Sequence, residues 1–124
     1  MASFSDIPLI NDFSLCQQTV TLYHYDDGEI TRVEYTKAYF EETDKQETST
    51  TGESGKTEHL VVIPGEITCV PGDKVFLGSG AYPEGDSARW WRLFIPAKVP
   101  QVVIVRSVSQ RHWLGKPSHI EIRG

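Results

Sequence analysis

Hydrophobic and polar residues alternate along this chain in short runs, and no segment keeps a helical period. Residues 18–25 and 30–40 are rich in Thr, Val and Tyr, and they flank Asp26-Asp27-Gly28, a strong hairpin-turn signal. Further strands are predicted at residues 60–63, 74–77, 102–109 and 119–123. Six or seven short strands with frequent turn residues predict an all-β fold, either a small β-barrel or a sandwich.

Turn and loop residues separate these runs. Val70-Pro-Gly-Asp73 has the proline and glycine that a type II turn requires. Residues 81–87 are predicted as a loop, and residues 111–118 as a turn built on Gly115 and Pro117. For residues 88–93 the pattern leaves a short helix and an irregular strand both open.

The same periodicity selects the core. Strand alternation places Val33, Tyr35 and Tyr39 on one face of residues 30–40, with Arg32 and Glu34 on the other. The residues predicted to be largely buried are Leu22, Val33, Tyr35, Val61, Ile63, Val75, Leu77, Val103, Val105 and Ile120.

Residues 41–58 break the pattern with 18 residues that carry no aliphatic or aromatic side chain. A loop of this length inside a small domain is usually functional or disordered, so we expect one long acidic loop presented by a compact platform. A tolerated hairpin tip without a role is the alternative. The acidic residues of this segment, predicted to face a channel or a partner, are Glu41, Glu42, Asp44, Glu47, Glu53 and Glu58.

Length and charge limit the remaining options. The 124 residues predict a single domain, 1–124, with a lead segment at residues 1–17. The net charge is −5, and residues 41–58 contribute −4 of it through six acids and two lysines. The rest of the chain is nearly neutral, which argues against a broad basic footprint for duplex DNA.

Cysteine usage and hydropathy indicate a cytoplasmic setting. No signal-peptide pattern and no run of membrane-spanning length is present. Cys16 and Cys69 are expected to be unpaired thiols, with a disulfide between them as the alternative.

The chain has no recognisable catalytic or cofactor motif. Its four histidines, His24, His59, His112 and His119, lack a second ligand at metal-site spacing, although His112 and His119 flank one turn. The clustered acids lie on the long loop, which lacks the rigid positioning that acid–base catalysis needs. We therefore predict no catalytic residues, no metal site, no cofactor and no enzymatic activity.

The densest aromatic and basic cluster consists of Arg89, Trp90, Trp91 and Arg92. Such a patch can stack bases or sugars, or it can anchor a protein interface. Alternatively, one tryptophan fills the core while the other covers its rim. We favour core packing for one tryptophan and a protein interface for the other.

A series of short motifs follows in a distinctive order. They are Thr21-Leu-Tyr23, Val61-Val-Ile-Pro64, Pro71-Gly-Asp73-Lys-Val-Phe-Leu-Gly78, Val105-Arg-Ser-Val108, Gln110-Arg-His112, Leu114-Gly-Lys-Pro-Ser-His119 and Glu121-Ile-Arg-Gly124. This order, spanning residues 19–124, resembles the small minor capsid proteins of tailed phages and prophages, which are related to the stopper (head-completion) proteins of the head–tail connector. The Trp90-Trp91 stretch, residues 97–101 and the segment before Cys16 have no counterpart in that pattern.

The resemblance implies a non-enzymatic virion protein of the phage neck, present in the host cytoplasm during assembly. It implies a six-fold or twelve-fold ring below the portal and adaptor proteins and above a tail-tube or tail-completion protein. The ring would retain packaged DNA without sequence-specific binding, provide the tail-docking surface, and involve no membrane. Its long loop would project into the central channel or reach a neighbouring protein.

Two other functional hypotheses stay open at this point. One is a neighbouring phage role as a tail-completion or tail-terminator subunit. The other is an oligonucleotide- or sugar-binding β-barrel that uses Trp90 and Trp91.

Overall fold

The computed structural model of the protein describes residues 16–49 and 52–124, and for residues 44–49 and 52–56 it describes the backbone only. This part of the chain forms seven strands and one short helix. In chain order they are β1 (Gln18–Asp26), β2 (Glu29–Ser49), β3 (Gly52–Pro64), β4 (Lys74–Leu77), α1 (Ser87–Leu93), β5 (Val102–Ile104), β6 (Ser107–Trp113) and β7 (Lys116–Arg123). The predicted all-β class and strand number are confirmed. Residues 1–15 of the predicted lead segment lie outside the described residues.

The strands form one antiparallel sheet in the order β5-β4-β1-β2-β3-β7-β6. Its two end strands, β5 and β6, are consecutive in the chain and separated only by Val105 and Arg106. The Val105 amide donates to the Asp73 carbonyl beside β4 at 2.9 Å, and the Arg106 amide donates to the Arg123 carbonyl of β7 at 2.8 Å. A two-residue link spans at most about 11 Å between its flanking Cα atoms. The ends of the sheet therefore lie side by side, and the sheet curls into a small, partly open barrel.

The β1–β2 hairpin turns at Asp27 and Gly28, whose φ angles are 49° and 79°. Positive φ at both central residues is characteristic of a type I′ turn, which Asp-Gly favours. The hairpin turn that the sequence predicts at this point is confirmed. Gly72 likewise has a φ of 98°, as the predicted type II turn at residues 70–73 requires.

A β-bulge changes the alternation along β2. Gln18 of β1 faces Ala38, whereas Val20 faces Tyr35, so β2 has one more residue than β1 in this interval. The extra residue moves Tyr39 to the opposite face from Tyr35. The predicted shared face of these two tyrosines was therefore wrong, because a bulge leaves no clear mark in the hydrophobic pattern.

The main core fills the inside of the barrel. Seven of the predicted core residues are buried, namely Leu22, Val61, Ile63, Val75, Val103, Val105 and Ile120. Tyr35 and Leu77 are partly buried and pack against them. Val33 is 41% exposed, so its predicted burial was wrong. Because β3 pairs with β2 only from Tyr39 onward, none of the described strands lies beside Val33 on that side.

Two smaller apolar clusters lie outside the main core. One of them consists of Tyr39 on β2, Leu60 and Val62 on β3, and Cys16 from the segment before β1. Tyr23, Phe94 and Val102 form the other, beneath α1. Both cysteines are free and buried, Cys16 in the first small cluster and Cys69 in the main core. The expectation of unpaired thiols is confirmed.

The last part of the chain contains more paired strand than its sequence indicates. The predicted strand 102–109 is divided between β5 and β6, because Val105 and Arg106 pass from one end of the sheet to the other. The predicted turn 111–118 is reduced to Leu114 and Gly115, since Trp113 pairs with Lys116. Gly115 and Pro117 favour a longer turn. The pairing of β6 with β7 nevertheless continues to Trp113 and Lys116, next to the tip of the hairpin.

Candidate functional site

The acidic segment 41–58 is a two-stranded arm rather than a loop, which differs from the sequence-based expectation. β2 and β3 stay paired from Tyr39 opposite Val62 to Ser49 opposite Gly52. The β-branched threonines in this stretch favour extended backbone, and the ladder continues the pairing of the barrel. No other described strand pairs with this part of the hairpin. At about 3.4 Å per residue, the part from Glu41 to Ser49 is about 27 Å long.

The register sorts the charges of this arm by face. Directly opposed residues share a face, and each acid of the arm is opposite a residue that is not acidic. Positions 42, 44 and 53 lie on the face that continues Phe40 and Val61, the inward face of the barrel. Lys45 and Lys56 are register partners at positions of the opposite face. The positions of one face therefore hold three acids and no lysine, with a formal charge of −3.

The described carboxylates of the arm lie at its base. Glu41 accepts a hydrogen bond from the Tyr39 hydroxyl at 2.8 Å. Burial and this bond raise the pKa of Tyr39 to about 12. Glu42 is exposed, and Glu58 lies 3.7 Å from the guanidinium of Arg106. The side chains of the three remaining predicted acids, Asp44, Glu47 and Glu53, lie outside the described ones.

The segment 88–93, which the sequence left open, is helical. Asp86 caps α1, since its carboxylate accepts from the Ala88 amide at 3.0 Å. Trp90 stacks on Phe94 with ring centroids 4.5 Å apart and lies 5.5 Å from the ring of Tyr23. Trp90 therefore belongs to the apolar cluster beneath the helix.

The second tryptophan is also held by neighbours within the chain. Trp91 stacks on Tyr25 at 5.6 Å. The Lys74 ammonium lies 4.1 Å from the Trp91 ring centroid and donates to the Trp91 carbonyl. Burial lowers the pKa of Lys74. Arg89 and Arg92 are exposed, so the predicted patch divides into half-buried indoles against the sheet and arginines toward solvent. Its role as an interface remains a prediction.

The segment after β4 is fixed to the outer face of β1 and β2 by side-chain hydrogen bonds. The Thr21 hydroxyl donates to the Gly78 carbonyl at 2.8 Å and accepts from the Gly80 amide at 2.9 Å. The Tyr23 hydroxyl donates to the Ala81 carbonyl at 2.6 Å. Arg32 donates to the Gly80 carbonyl at 2.7 Å. The loop predicted at residues 81–87 therefore starts from a firmly held position.

Gly80 lies against this network, so the smallest added side chain should destabilise the fold. A Cβ there would overlap the Tyr23 hydroxyl and lie 3.1 Å from atoms of Phe76. We expect Gly80→Ala to lower the free energy of unfolding by about 1–3 kcal/mol, the usual range for overpacking. Urea titration measures this change. In a Tyr23→Phe background the cost should fall, because the obstructing hydroxyl is absent, and an unchanged cost would contradict this account.

The tip of the β6–β7 hairpin carries an apolar residue in an unfavourable conformation. Leu114 has a φ of 52° and is 86% exposed. With Gly115 at 78° it forms a two-residue turn of the type I′ class, where Asn or Asp is the usual first residue. Sequence reasoning missed this site, because a Leu-Gly pair does not reveal a positive φ. The two-residue loop is evident only from the pairing of Trp113 with Lys116.

The histidines form two separate pairs with carboxylates. His24 Nδ1 lies 2.6 Å from Asp73, and His119, fully buried on β7, lies 3.0 Å from Glu121. His112 is exposed on β6. Among the described residues, no group of three His, Cys, Asp or Glu side chains is placed to hold a metal ion.

No protein-family model, curated protein or solved structure matches this chain. Within the described residues, no helix has the length and apolar character needed to span a membrane. The function is therefore inferred from the residues and their arrangement.

Proposed function

We propose that this protein is a structural, non-enzymatic subunit of the phage head–tail connector. It acts as a stopper-like minor capsid protein that forms a ring in the virion neck. The ring lies between the portal and adaptor proteins above and a tail-tube or tail-completion protein below. It retains packaged DNA and offers the surface to which the tail docks.

The acidic arm is the observation that carries this proposal. A small barrel from which a paired hairpin extends by about 27 Å is suited to filling the opening of a ring. Copies of an arm with charge −4 concentrate negative potential around the axis. That potential repels the phosphate backbone, so DNA is blocked or guided without being bound. The lysine-free face at positions 42, 44 and 53 is the part best suited to line the channel.

The order of short motifs in the sequence supports the same placement, and the all-β barrel agrees with it. A tail-completion or terminator subunit would use the same ring and the same arm at a neighbouring level of the neck. A nucleic-acid- or sugar-binding barrel is less well supported. The rings of Trp90 and Trp91 already stack on Phe94 and Tyr25, which leaves less aromatic surface for a ligand.

Shortening the arm tests the proposal. Residues 43–58 are replaced by Asn-Gly, so that Glu42 and His59, which already face each other, flank a type I′ turn. We expect little change in thermal stability, because among the described strands the removed residues pair only with each other, the Glu58–Arg106 ion pair lies at the surface, and the new turn closes a shorter loop. Particles carrying this variant should lose packaged DNA or fail to join tails, as measured by nuclease protection and electron microscopy.

The control separates charge from length. Neutralising the lysine-free face with Glu42→Gln, Asp44→Asn and Glu53→Gln keeps the arm but removes three charges. Neutralising Glu41, Glu47 and Glu58 in the same way removes three from the other face. Particles should be more sensitive to the first set. If the shortened variant retains DNA and joins tails normally, the arm has no gating role. If the protein is absent from particles, the connector proposal itself is wrong.

A further inference from the structure

Two surfaces lie at opposite ends of the β6–β7 hairpin, and their apolar and charged residues are complementary. The first is the hairpin tip, which consists of Trp113, Leu114, Gly115, Lys116 and Pro117. The second is a groove of about 560 Å³ beside β5 and the carboxyl end of β7. We propose that the tip of one copy docks into the groove of a second copy, in a head-to-tail contact.

The tip has the properties of an inserting knob. Leu114 exposes 86% of its surface, and Trp113 and Pro117 lie beside it. A leucine at positive φ is unfavourable for the isolated fold, so this residue is better explained by a contact than by the turn. Its surroundings are basic. Residues 110–118 contain Arg111, Lys116 and no acid. Arg111 is partly engaged by Glu121 at 3.3 Å, which leaves Lys116 as the main exposed charge.

The groove has an apolar floor and one acidic wall. Pro96, Pro100 and Ile104 supply the floor, and Ile104 is 40% exposed. Thr57, Glu58 and His59 contribute the wall. By register, His59 is opposite Glu42, which is exposed, so one carboxylate lines the wall and a second lies beside it. Arg106 also lines the groove, where it lies 3.7 Å from Glu58. An apolar knob with a basic collar therefore matches the apolar floor and the acidic wall.

The geometry requires a second copy. The tip lies at one end of β7, and the groove lies at the other, beside Gly124. Seven steps from Lys116 to Arg123 at about 3.4 Å each separate them by about 24 Å. The tip of one chain cannot reach its own groove, so the contact is heterologous. Repeated contacts of this kind close into a ring or extend as a filament. The inference deepens the proposed function and rests on it for ring closure, whereas the contact itself rests on the two surfaces.

Disulfide trapping tests this contact with the purified protein. Leu114→Cys and Ile104→Cys are made in separate chains. Cys16 and Cys69 are buried and should not interfere. Under oxidation the mixture should give a cross-linked dimer, while either variant alone should give little. A chain carrying both changes should give a series of larger species. Tyr82→Cys, 71% exposed on the outer face of β1 and β2, replaces Ile104→Cys as the control and should not cross-link to Leu114→Cys.

Charge reversal tests the acidic wall. Lys116→Glu in the Leu114→Cys chain should slow cross-linking by about twofold to fivefold, the range of an exposed ion pair. Lys37→Glu, an equal change at an exposed site on β2, should have no effect. When the Ile104→Cys chain also carries Glu42→Lys, it should cross-link to the Leu114→Cys, Lys116→Glu chain at the original rate, because the two charges are exchanged.

Each outcome bears on the contact separately from the connector role. Efficient cross-linking of Leu114→Cys alone would mean tip-to-tip pairing and would overturn the proposal. The proposal would also be overturned if the mixture of Leu114→Cys and Ile104→Cys cross-linked no faster than the mixture with Tyr82→Cys. Because purified protein is used, a positive result stands even if the protein is absent from virions. A negative result leaves the particle experiments unaffected.

Discussion

Replacing Tyr23 by alanine should lower the free energy of unfolding of this protein by about 3–5 kcal/mol, the range for deleting a large buried aromatic side chain. Tyr23 is fully buried under α1, and its ring lies 4.7 Å from that of Phe94 and 5.5 Å from that of Trp90. Its hydroxyl donates to the Ala81 carbonyl at 2.6 Å. Truncation removes the centre of the outer apolar cluster and one of the bonds that fix the segment after β4. Urea titration followed by tryptophan fluorescence measures the loss.

Two matched variants divide this loss into its parts. Tyr23→Phe keeps the ring and should cost about 1–2 kcal/mol, the range for leaving one carbonyl without its partner. Tyr82→Ala removes a tyrosine that is 71% exposed and should cost less than about 1 kcal/mol, mainly through its contact with Arg32 at 4.0 Å. If Tyr23→Ala costs no more than Tyr82→Ala, the outer cluster contributes little and α1 is not held as described.

The outer cluster also shows what the sequence could predict. Alternating apolar residues and turn pairs were sufficient to predict the strands and most of the inner core, because burial of one face of a strand imposes a period of two. Thr21 and Tyr23 follow the same alternation on the other face. That face is buried too, since the segment after β4 and the helix α1 cover it. Covering of this kind depends on residues 55 or more positions away and is not visible locally.

The errors share a physical cause. Tyr39 changed face because of one extra residue in β2, and Val33 was exposed because β3 begins to pair only beyond it. The acidic segment was expected to be a loop because it has no apolar residue. Its backbone is nevertheless paired, since a ladder established by buried neighbours can continue into polar sequence. Bulges, ladder ends and strand extension are set by partners, not by the pattern of one segment.

The candidate surfaces were predictable to a different degree. The acidic residues of the arm were identified by composition alone, but their division into a lysine-free face and a mixed face required the register. Leu114 was passed over because an apolar residue in a turn is uninformative until its φ and exposure are known. The groove combines residues from β3, β5 and the carboxyl terminus, which only the closure of the barrel brings together.

The closure of the barrel involves the turn before β4, whose last residue is Asp73. We expect Asp73→Ala to lower the free energy of unfolding by about 1–3 kcal/mol, because two partly buried donors lose a charged acceptor. The carboxylate, 4% exposed as a residue, accepts from the Val70 amide at 3.1 Å and lies 2.6 Å from His24 Nδ1. The backbone carbonyl of Asp73 accepts from Val105 at the point where β5 ends.

Part of this loss should depend on pH, in a direction fixed by His24. The hydrogen bond and the negative charge of Asp73 raise the pKa of His24. The folded state therefore favours the protonated imidazole, so the stabilisation is fully present below the ordinary histidine pKa of about 6.5. It is lost as the pH rises through the raised folded pKa. The stability difference between the wild type and Asp73→Ala should thus be larger near pH 6 than near pH 9. His24 is half exposed, so we expect the difference to change only modestly.

The control keeps the bond but removes the titration. His24→Gln can still donate to the Asp73 carboxylate without gaining a proton. In the His24→Gln background, the loss of unfolding free energy caused by Asp73→Ala should therefore be the same at both pH values. Arg89→Gln, at an exposed site on α1, controls for the loss of a positive charge. Chemical unfolding at the two pH values, with the His24 ring followed by NMR, measures both quantities. A cost that rises with pH would reverse the assigned sign. A pH-independent cost in the wild type would show that the protonation of His24 contributes nothing to the effect of Asp73.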